Sequence, residues 1–181
     1  ATKPSNMDTA PTQFNVTDVV RLNKDKETVK NAIMQYGSVT SGYAHYSTYF
    51  NKDETAYNCT NKRAPLNHAV AIVGWDDNYS KDNFASDVKP ESNGAWLVKS
   101  SWGEFNSMKG FFWISYEDKT LLTDTDNYAM KSVSKPDSDK KMYQLEYAGL
   151  SKIMSNKVTA ANVFDFSRDS EKLDSVMFET D

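Results

Sequence analysis

The feature of this sequence that most constrains its fold is a series of short segments rich in β-branched and aromatic residues, separated by long polar connections. Segments of this composition predict β-strands. The predicted strands are residues 15–22, 38–43, 68–75, 95–100, 111–116 and about 127–133. Between two of them, residues 76–93 carry almost no apolar side chains, which is typical of a solvated surface loop. We therefore expect a mostly antiparallel sheet with long surface connections.

One helix is predicted, between Lys26 and Tyr36. Val29, Ile33 and Tyr36 recur at helical spacing, and Gly37 stands where the C-terminal cap of a helix belongs. Together with the strands, this helix indicates an α+β fold.

Composition and charge exclude several classes of protein. Of the 181 residues, 39% are hydrophobic and 25% are charged, which indicates a globular chain with a packed core. The net charge of -4 and the lack of a Lys/Arg block exclude the basic surface that nucleic-acid binding needs. No stretch approaches the roughly 20 apolar residues of a membrane span. Cys59 is the chain's one cysteine, so no disulfide can form within it.

The candidate for chemistry is His68, one of two histidines, which opens an apolar strand in the run NHAVAIVGW. A histidine at a strand end lies at the rim of a rigid sheet, where a general base can reach a reacting group. Taken alone, however, such a histidine more often has a partly buried structural role.

Two further segments favour the functional role. Residues 94–103 read GAWLVKSSWG, and residues 109–116 read KGFFWISY. With the His68 strand before them, they resemble the second half of papain-like cysteine peptidases in motif, order and spacing, over about residues 15–130. This resemblance implies that residues 1–134 form the histidine-bearing, β-rich and barrel-like half of a papain-like domain.

The resemblance also implies roles for individual residues. His68 matches the catalytic histidine, which takes the proton of the nucleophilic cysteine and later protonates the leaving amine. Trp102 matches the tryptophan that covers this histidine and its hydrogen-bonding partner. Asn67 and Ala69 are expected to line the cleft for a polypeptide substrate. The family needs no cofactor.

Two departures from the family's pattern stand out. Ser100 occupies the position where the family usually has the asparagine that orients the imidazole. Because serine is shorter, we expect it to reach the ring only through a water or after some backbone movement, and activity to be reduced or retuned. An inactive, degenerate copy is the alternative.

The second departure is the nucleophile. The family's cysteine and oxyanion-hole glutamine come from a helix well upstream of the histidine strand, and neither is present in this sequence. Cys59 instead lies in a polar loop without a helix dipole to hold a thiolate, and it matches a position that some family members use for a disulfide. We expect the missing N-terminal half of the peptidase domain to supply the nucleophile.

Other candidate sites are weaker. Residues 124–127 resemble a fragment of a calcium loop, but the glycine and distal glutamate of that loop are missing. No histidine, cysteine or carboxylate cluster predicts a metal site. His45 lies in an aromatic-rich stretch and is interpreted as packing and possible substrate wall. Lys99 is interpreted as a solvated charge at a strand end.

The C-terminal part of the sequence predicts a further domain. Residues 135–141 have the composition of a linker, and residues 142–181 resemble the start of the lectin-like β-sandwich that follows some bacterial papain-like peptidases. Those enzymes are typically exported or held at the cell surface, so we expect an extracellular location. The leading hypothesis is thus half of a cysteine-type endopeptidase, and the competing one is a non-catalytic surface module that binds proteins or glycans.

Overall fold

The computed structural model describes residues 13–123 and 127–136. These ranges contain one α-helix and seven strands: α1 (Lys26–Tyr36), β1 (Asn15–Arg21), β2 (Val39–Tyr43), β3 (Ala56–Tyr57), β4 (His68–Asp76), β5 (Ala95–Ser100), β6 (Phe111–Ser115) and β7 (Tyr128–Ser134). The strands form one sheet in the order β1-β7-β2-β4-β5-β6-β3. The β3–β6 pair is parallel, and the other strand pairs are antiparallel. The structure is thus mostly β-sheet with one helix. Strand β3 was not predicted, because two residues are too few to show an alternating pattern.

The helix α1 has the bounds that its sequence predicts. Asp25 caps its N-terminus by accepting a 2.9 Å hydrogen bond from the Thr28 amide. At its C-terminus Gly37 adopts a φ of 89°, which favours glycine, and its N–H donates to the Ile33 carbonyl at 2.8 Å. The apolar side of α1, including Val29, is buried in the core.

The core lies where α1 packs against one face of the sheet. Alternate residues of the central strands point into this core, as expected for strands with one buried face. They are Val39 and Tyr43 of β2, Val70 and Ile72 of β4, Trp96 and Val98 of β5, and Phe112 and Ile114 of β6.

The register of three neighbouring strands positions the candidate site. Tyr43 pairs with His68 between β2 and β4, and Val70 pairs with Ser100 between β4 and β5. His68 and Val70 are two residues apart and therefore share a face of β4, so His68 and Ser100 are diagonal neighbours across the strands. Both lie at the end of the core face, at the rim of the sheet.

The connection between β4 and β5 corrects one prediction. Most of it is polar, but Phe84 and Val88 are buried, and Tyr79 stacks on Trp113 with 4.5 Å between ring centroids. A few apolar side chains are enough to anchor the loop on a second, smaller cluster with Ala95. The prediction of a solvated surface loop therefore missed the buried anchors of the connection, although most of its residues are exposed.

The chain divides into two units at Pro136, and all described residues belong to the first of them. Most of the predicted linker at 135–141 and all of the predicted lectin-like segment at 142–181 lie outside the described residues, so the proposed domain organisation stays a prediction. Within the described ranges, no helix is long and apolar enough to cross a membrane.

Candidate active site

The first contact of the site is a direct hydrogen bond between the His68 imidazole and the Ser100 hydroxyl. His68 Nε2 lies 3.1 Å from Ser100 Oγ, which also accepts a 3.2 Å hydrogen bond from the Trp102 amide. Ser100 is buried, so its hydroxyl is shielded from competing water. The sequence led us to expect a bridging water or a backbone shift, and at this distance no bridging water is needed.

The Trp102 side chain forms a partial cover over His68. Its ring is stacked on the imidazole, with 4.1 Å between centroids and 27° between planes. The indole itself is 56% exposed, so it shields one side of the imidazole and leaves the rim open to solvent elsewhere. Burial lowers the pKa of His68, which favours the neutral imidazole and hence a ring that can accept a proton.

The two nitrogens of His68 have different surroundings. Nε2 is bonded to Ser100, whereas Nδ1 has no hydrogen-bond partner among residues 13–123 and 127–136. When Nε2 carries the ring proton and donates it to Ser100 Oγ, the lone pair of Nδ1 is available for an incoming proton. In this tautomer the arrangement can act as a general base, with Ser100 holding the orientation of the ring.

The loop that carries Trp102 is closed by contacts at its two ends. The Ser100 amide donates to the Gly110 carbonyl at 3.0 Å, and Lys99 Nζ donates to the Lys109 carbonyl at 2.5 Å. Asn106 Oδ1 accepts from the Gly110 amide at 3.0 Å. Lys99 also lies over the Phe111 ring, 4.6 Å from its centroid, and is partly buried. Lys99 thus has a structural role in the loop that its interpretation as a solvated strand-end charge did not include.

Asn67 and Ala69 flank His68 and are both exposed. The Asn67 side chain is already engaged: Oδ1 accepts from the His45 amide at 2.7 Å, and Nδ2 donates to the His45 carbonyl at 3.1 Å. These two bonds tie the chain after β2 to the residue that precedes the candidate base. The role of Asn67 and Ala69 in lining a substrate cleft stays a prediction.

His45 belongs to the site, although the sequence indicated only packing or a substrate wall. Its ring makes a T-shaped contact with the Trp102 ring, with 4.5 Å between centroids, and its centroid lies 5.7 Å from that of His68. Its Nδ1 is hydrogen-bonded to the Tyr43 hydroxyl. No local sequence signal marks this role, because it is the pairing of Tyr43 with His68 across β2 and β4 that places residue 45 just beyond the candidate base.

Cys59 lacks the features of a nucleophile. The side chain is fully buried, Sγ lies 3.6 Å from the Asn61 carbonyl, and burial raises the pKa of the thiol. A reactive cysteine needs exposure and a lowered pKa. The Cys59 amide donates to Asp118 Oδ2 at 2.6 Å, which fixes the residue in a structural corner.

Within the described part of the chain, no group of three or more histidine, cysteine or carboxylate side chains could hold a metal ion. Of the calcium-like turn at residues 124–127, residues 124–126 lie outside that part and Asn127 lies within it.

Comparison with known proteins places this geometry in context. The model of the papain family of cysteine proteases matches residues 2–133. Testin-2 of Rattus norvegicus is 37% identical over 99 residues, which are 54% of this chain and 27% of that protein. Cathepsin J of Mus musculus is 31% identical over 103 residues, 56% of this chain and 28% of that protein. Cathepsin B-like cysteine proteinase 3 of Caenorhabditis elegans is 28% identical over 93 residues, 51% of this chain and 22% of that protein.

The chain thus spans under a third of the length of each of these relatives. They come from rodents and a nematode, so the expected likeness to bacterial members stays a prediction.

Proposed function

The chain belongs to the papain family of cysteine proteases, and from that membership we propose that it supplies the general base, His68, of a cysteine-type endopeptidase. The observation that supports this proposal best is the state of the His68 ring: Nε2 is bonded to Ser100, Trp102 covers one side, and Nδ1 has no partner among the described residues. The nucleophilic cysteine and the oxyanion hole come from residues outside this chain.

In the proposed mechanism, His68 Nδ1 accepts the proton of that cysteine. A thiol with a pKa of about 8.5 is mostly protonated at neutral pH, and a neighbouring imidazolium stabilises the thiolate. The thiolate attacks the peptide carbonyl to form a C–S bond, and the imidazolium protonates the amine as the C–N bond breaks. Water, deprotonated by the now neutral His68, then cleaves the thioester, which releases the acid and regenerates the thiol. Throughout, the Nε2–H donates to Ser100 Oγ and keeps the ring in one orientation, while Trp102 keeps water from this hydrogen bond.

The first test of this function is the His68→Gln variant of the intact protein. Glutamine has no basic nitrogen, so we expect kcat for peptide hydrolysis to fall at least about a thousandfold. Turnover of an unstructured polypeptide and labelling by a thiol-directed irreversible inhibitor are measured in parallel. Wild-type turnover in His68→Gln would contradict the proposed role.

Ser100 and its neighbour Ser101 form a matched pair for a second test. Ser100 is buried and bonded to His68, whereas Ser101 is exposed. Ser100→Ala removes one hydrogen bond to the base, worth about 1 kcal/mol, so we expect kcat to fall about fivefold to tenfold. Ser101→Ala should leave kcat unchanged. Equal activities would show that Ser100 does not orient the ring.

The same experiments bear on the alternative function. If the intact wild-type protein neither turns over peptides nor reacts with the inhibitor, the chain is part of a non-catalytic surface module that binds proteins or glycans. That outcome would not change the fold or the His68 geometry, but it would show that His68 does not act in catalysis.

We further propose that residues 135–141 link the protease unit to a lectin-like domain that begins at residue 142, and that the protein is extracellular or attached to the cell surface. Only the sequence resemblance of residues 142–181 supports this. Fractionation of cells that express the intact protein tests the location, and a glycan array tests binding by the C-terminal part.

A further inference from the structure

The second histidine of the site has a rigid backbone. His45 lies two residues beyond β2, and both backbone polar groups of His45 are bonded to the Asn67 side chain, at 2.7 and 3.1 Å. Asn67 directly precedes His68, and the backbone N–H of Asn67 donates to the Tyr43 carbonyl at 3.2 Å. The backbone of His45 is therefore held at a set distance from the candidate base.

The ring of His45 is oriented by two tyrosines. Its Nδ1 is hydrogen-bonded to the Tyr43 hydroxyl, and its plane is nearly parallel to the Tyr57 ring, at 6° and 6.3 Å between centroids. Burial raises the pKa of Tyr43 above its usual range, so the hydroxyl keeps its proton and can donate it to Nδ1. In that arrangement the proton of neutral His45 is on Nε2.

The rings of His45, His68 and Trp102 form a triangle. Their centroids are 4.1 Å apart for His68 and Trp102, 4.5 Å for His45 and Trp102, and 5.7 Å for the two histidines. Among the described residues, these two imidazoles make the ring contacts of Trp102, while 56% of the tryptophan is exposed. A side chain so exposed loses rotamer freedom only if several contacts hold it.

From this geometry we propose that His45 is a positioning residue: as a neutral imidazole it braces Trp102 against His68, and its protonation on acidification releases that brace. The catalytic part of this inference rests on the proposed function of His68, whereas the bracing of Trp102 can be tested without it.

Protonation matters because of the groups that face His45. The ionisable side chains in contact with it are Tyr43, Tyr57 and His68, and beyond the tyrosines lies Asp118, which acts on both of them. A proton on Nδ1 reverses the hydrogen bond with Tyr43 and places a cation beside His68, which itself becomes cationic during catalysis. Burial, followed by the charge of His68, lowers the pKa of His45 and so favours its neutral form.

The test is NMR of the His68 ring protons in the intact protein with labelled histidine. An imidazole stacked on an indole has its ring protons shifted upfield by the ring current, so this shift reports the stack directly and needs no activity. Trp102→Ala defines the shift without the stack. We expect His45→Ala to move the His68 signals toward that reference, and His45→Phe, which keeps an aromatic ring at the brace, to retain the wild-type shift.

Acidification supplies a second measurement that does not depend on the stability of His45→Ala. In the wild type, the upfield shift of His68, measured relative to Trp102→Ala at each pH to remove the effect of protonating His68 itself, should diminish as His45 titrates, whereas in His45→Phe it should persist over the same pH range. The corresponding kinetic expectation is a lower kcat in His45→Ala, rescued by His45→Phe, with the acid limb of the pH profile moved to lower pH in His45→Phe.

A wild-type stack in His45→Ala, or the same loss of stack on acidification in wild type and His45→Phe, would overturn the proposal. If the stack depends on His45 but the wild-type protein has no turnover, the brace stands and the catalytic function fails. If turnover is present and the stack is independent of His45, the opposite holds.

Discussion

Two regions of the molecule contain side-chain types that do chemistry in cysteine proteases. One is the rim around His68. The other, here called the Asp118 corner, is formed by Cys59, Asp118, Thr120 and Leu121. At the rim, His68 has one bonded nitrogen and one without a described partner. In the Asp118 corner, the carboxylate accepts from the Cys59 amide at 2.6 Å, and from the amides of Thr120 and Leu121 and the Thr120 hydroxyl at 2.8 Å.

Burial favours the neutral form in both regions, but the consequences for reactivity are opposite. It lowers the pKa of His68, which leaves the base able to accept a proton, and it raises the pKa of Cys59 and of Asp118, which at Cys59 disfavours the reactive thiolate. Of the two regions, only the rim combines a spare lone pair with access. The Asp118 corner is therefore expected to serve stability, and the rim to serve function.

The largest effect is expected from Asp118→Ala. Removing the carboxylate leaves several donors without their acceptor, so the free energy of unfolding should fall by at least about 3 kcal/mol in urea denaturation. The control is Glu117→Ala, since the adjacent Glu117 also accepts amide hydrogen bonds, from Glu91 at 2.9 Å and Ser92 at 2.8 Å, but near the surface. There we expect a loss of about 1 kcal/mol or less. Equal losses would break the distinction between corner and surface.

The next largest effect is expected from Gly110→Ala in the Trp102 loop. A Cβ at this position would lie 1.9 Å from the Gly103 carbonyl oxygen, so the loop must move. Gly103→Ala is the matched control, because both glycines have a φ of 80° but a Cβ at Gly103 meets nothing within 4 Å.

We expect Gly103→Ala to lower the free energy of unfolding by about 1 kcal/mol, through the left-handed φ alone. Gly110→Ala should add about 1–3 kcal/mol from the clash and reduce the stacking of Trp102 on His68. Urea denaturation gives the energies, and the ring-proton shifts of His68 report the stack. A stack unchanged in Gly110→Ala would show that this contact does not position Trp102.

A smaller effect concerns the reactivity of Cys59. Because the thiol is buried and its pKa is raised, we expect alkylation by iodoacetamide at pH 7 to be at least about tenfold slower in the folded protein than in urea. Mass spectrometry of the peptide that contains Cys59 follows the reaction. Rapid labelling of the folded protein would show that Cys59 is accessible and reactive, as expected of a rim residue and not of the Asp118 corner.

The smallest effect is the pH dependence of stability at the rim, since both imidazoles keep part of their surface in water. The pKa values of His45 and His68 lie below the ordinary 6.5 in the folded state, so the unfolded state takes up protons first on acidification. Stability is therefore full above about pH 6.5 and declines as the pH falls through that value. The melting temperature measured from pH 8 to pH 5 should decline less in His45→Phe than in wild type. An identical decline would show that His45 does not contribute.

Much of the secondary structure follows from local patterns. The helix Lys26–Tyr36 was predicted with its bounds, because its apolar spacing and Gly37 are local signals. The strand Ala95–Ser100 was also predicted with its bounds, and others differed by a residue or two. Strand β3 and the buried side chains of the β4–β5 connection were missed, because contacts with residues far along the chain stabilise them.

His68 could be noticed from the sequence because a strand start is a local feature, since strand periodicity arises within a few neighbouring residues. Its role, and the roles of Ser100 and Trp102, followed only from the resemblance of short local motifs to papain-like peptidases. Tertiary contacts alone decided that Ser100 bonds directly to the ring, that Trp102 lies against both histidines, and that Cys59 is enclosed. The physical reason is register: the pairing of Tyr43 with His68, and of Val70 with Ser100, brings together side chains that are about 25 to 60 positions apart in the sequence. No local pattern specifies those distances, so the site's chemistry depends on how β2, β4 and β5 align.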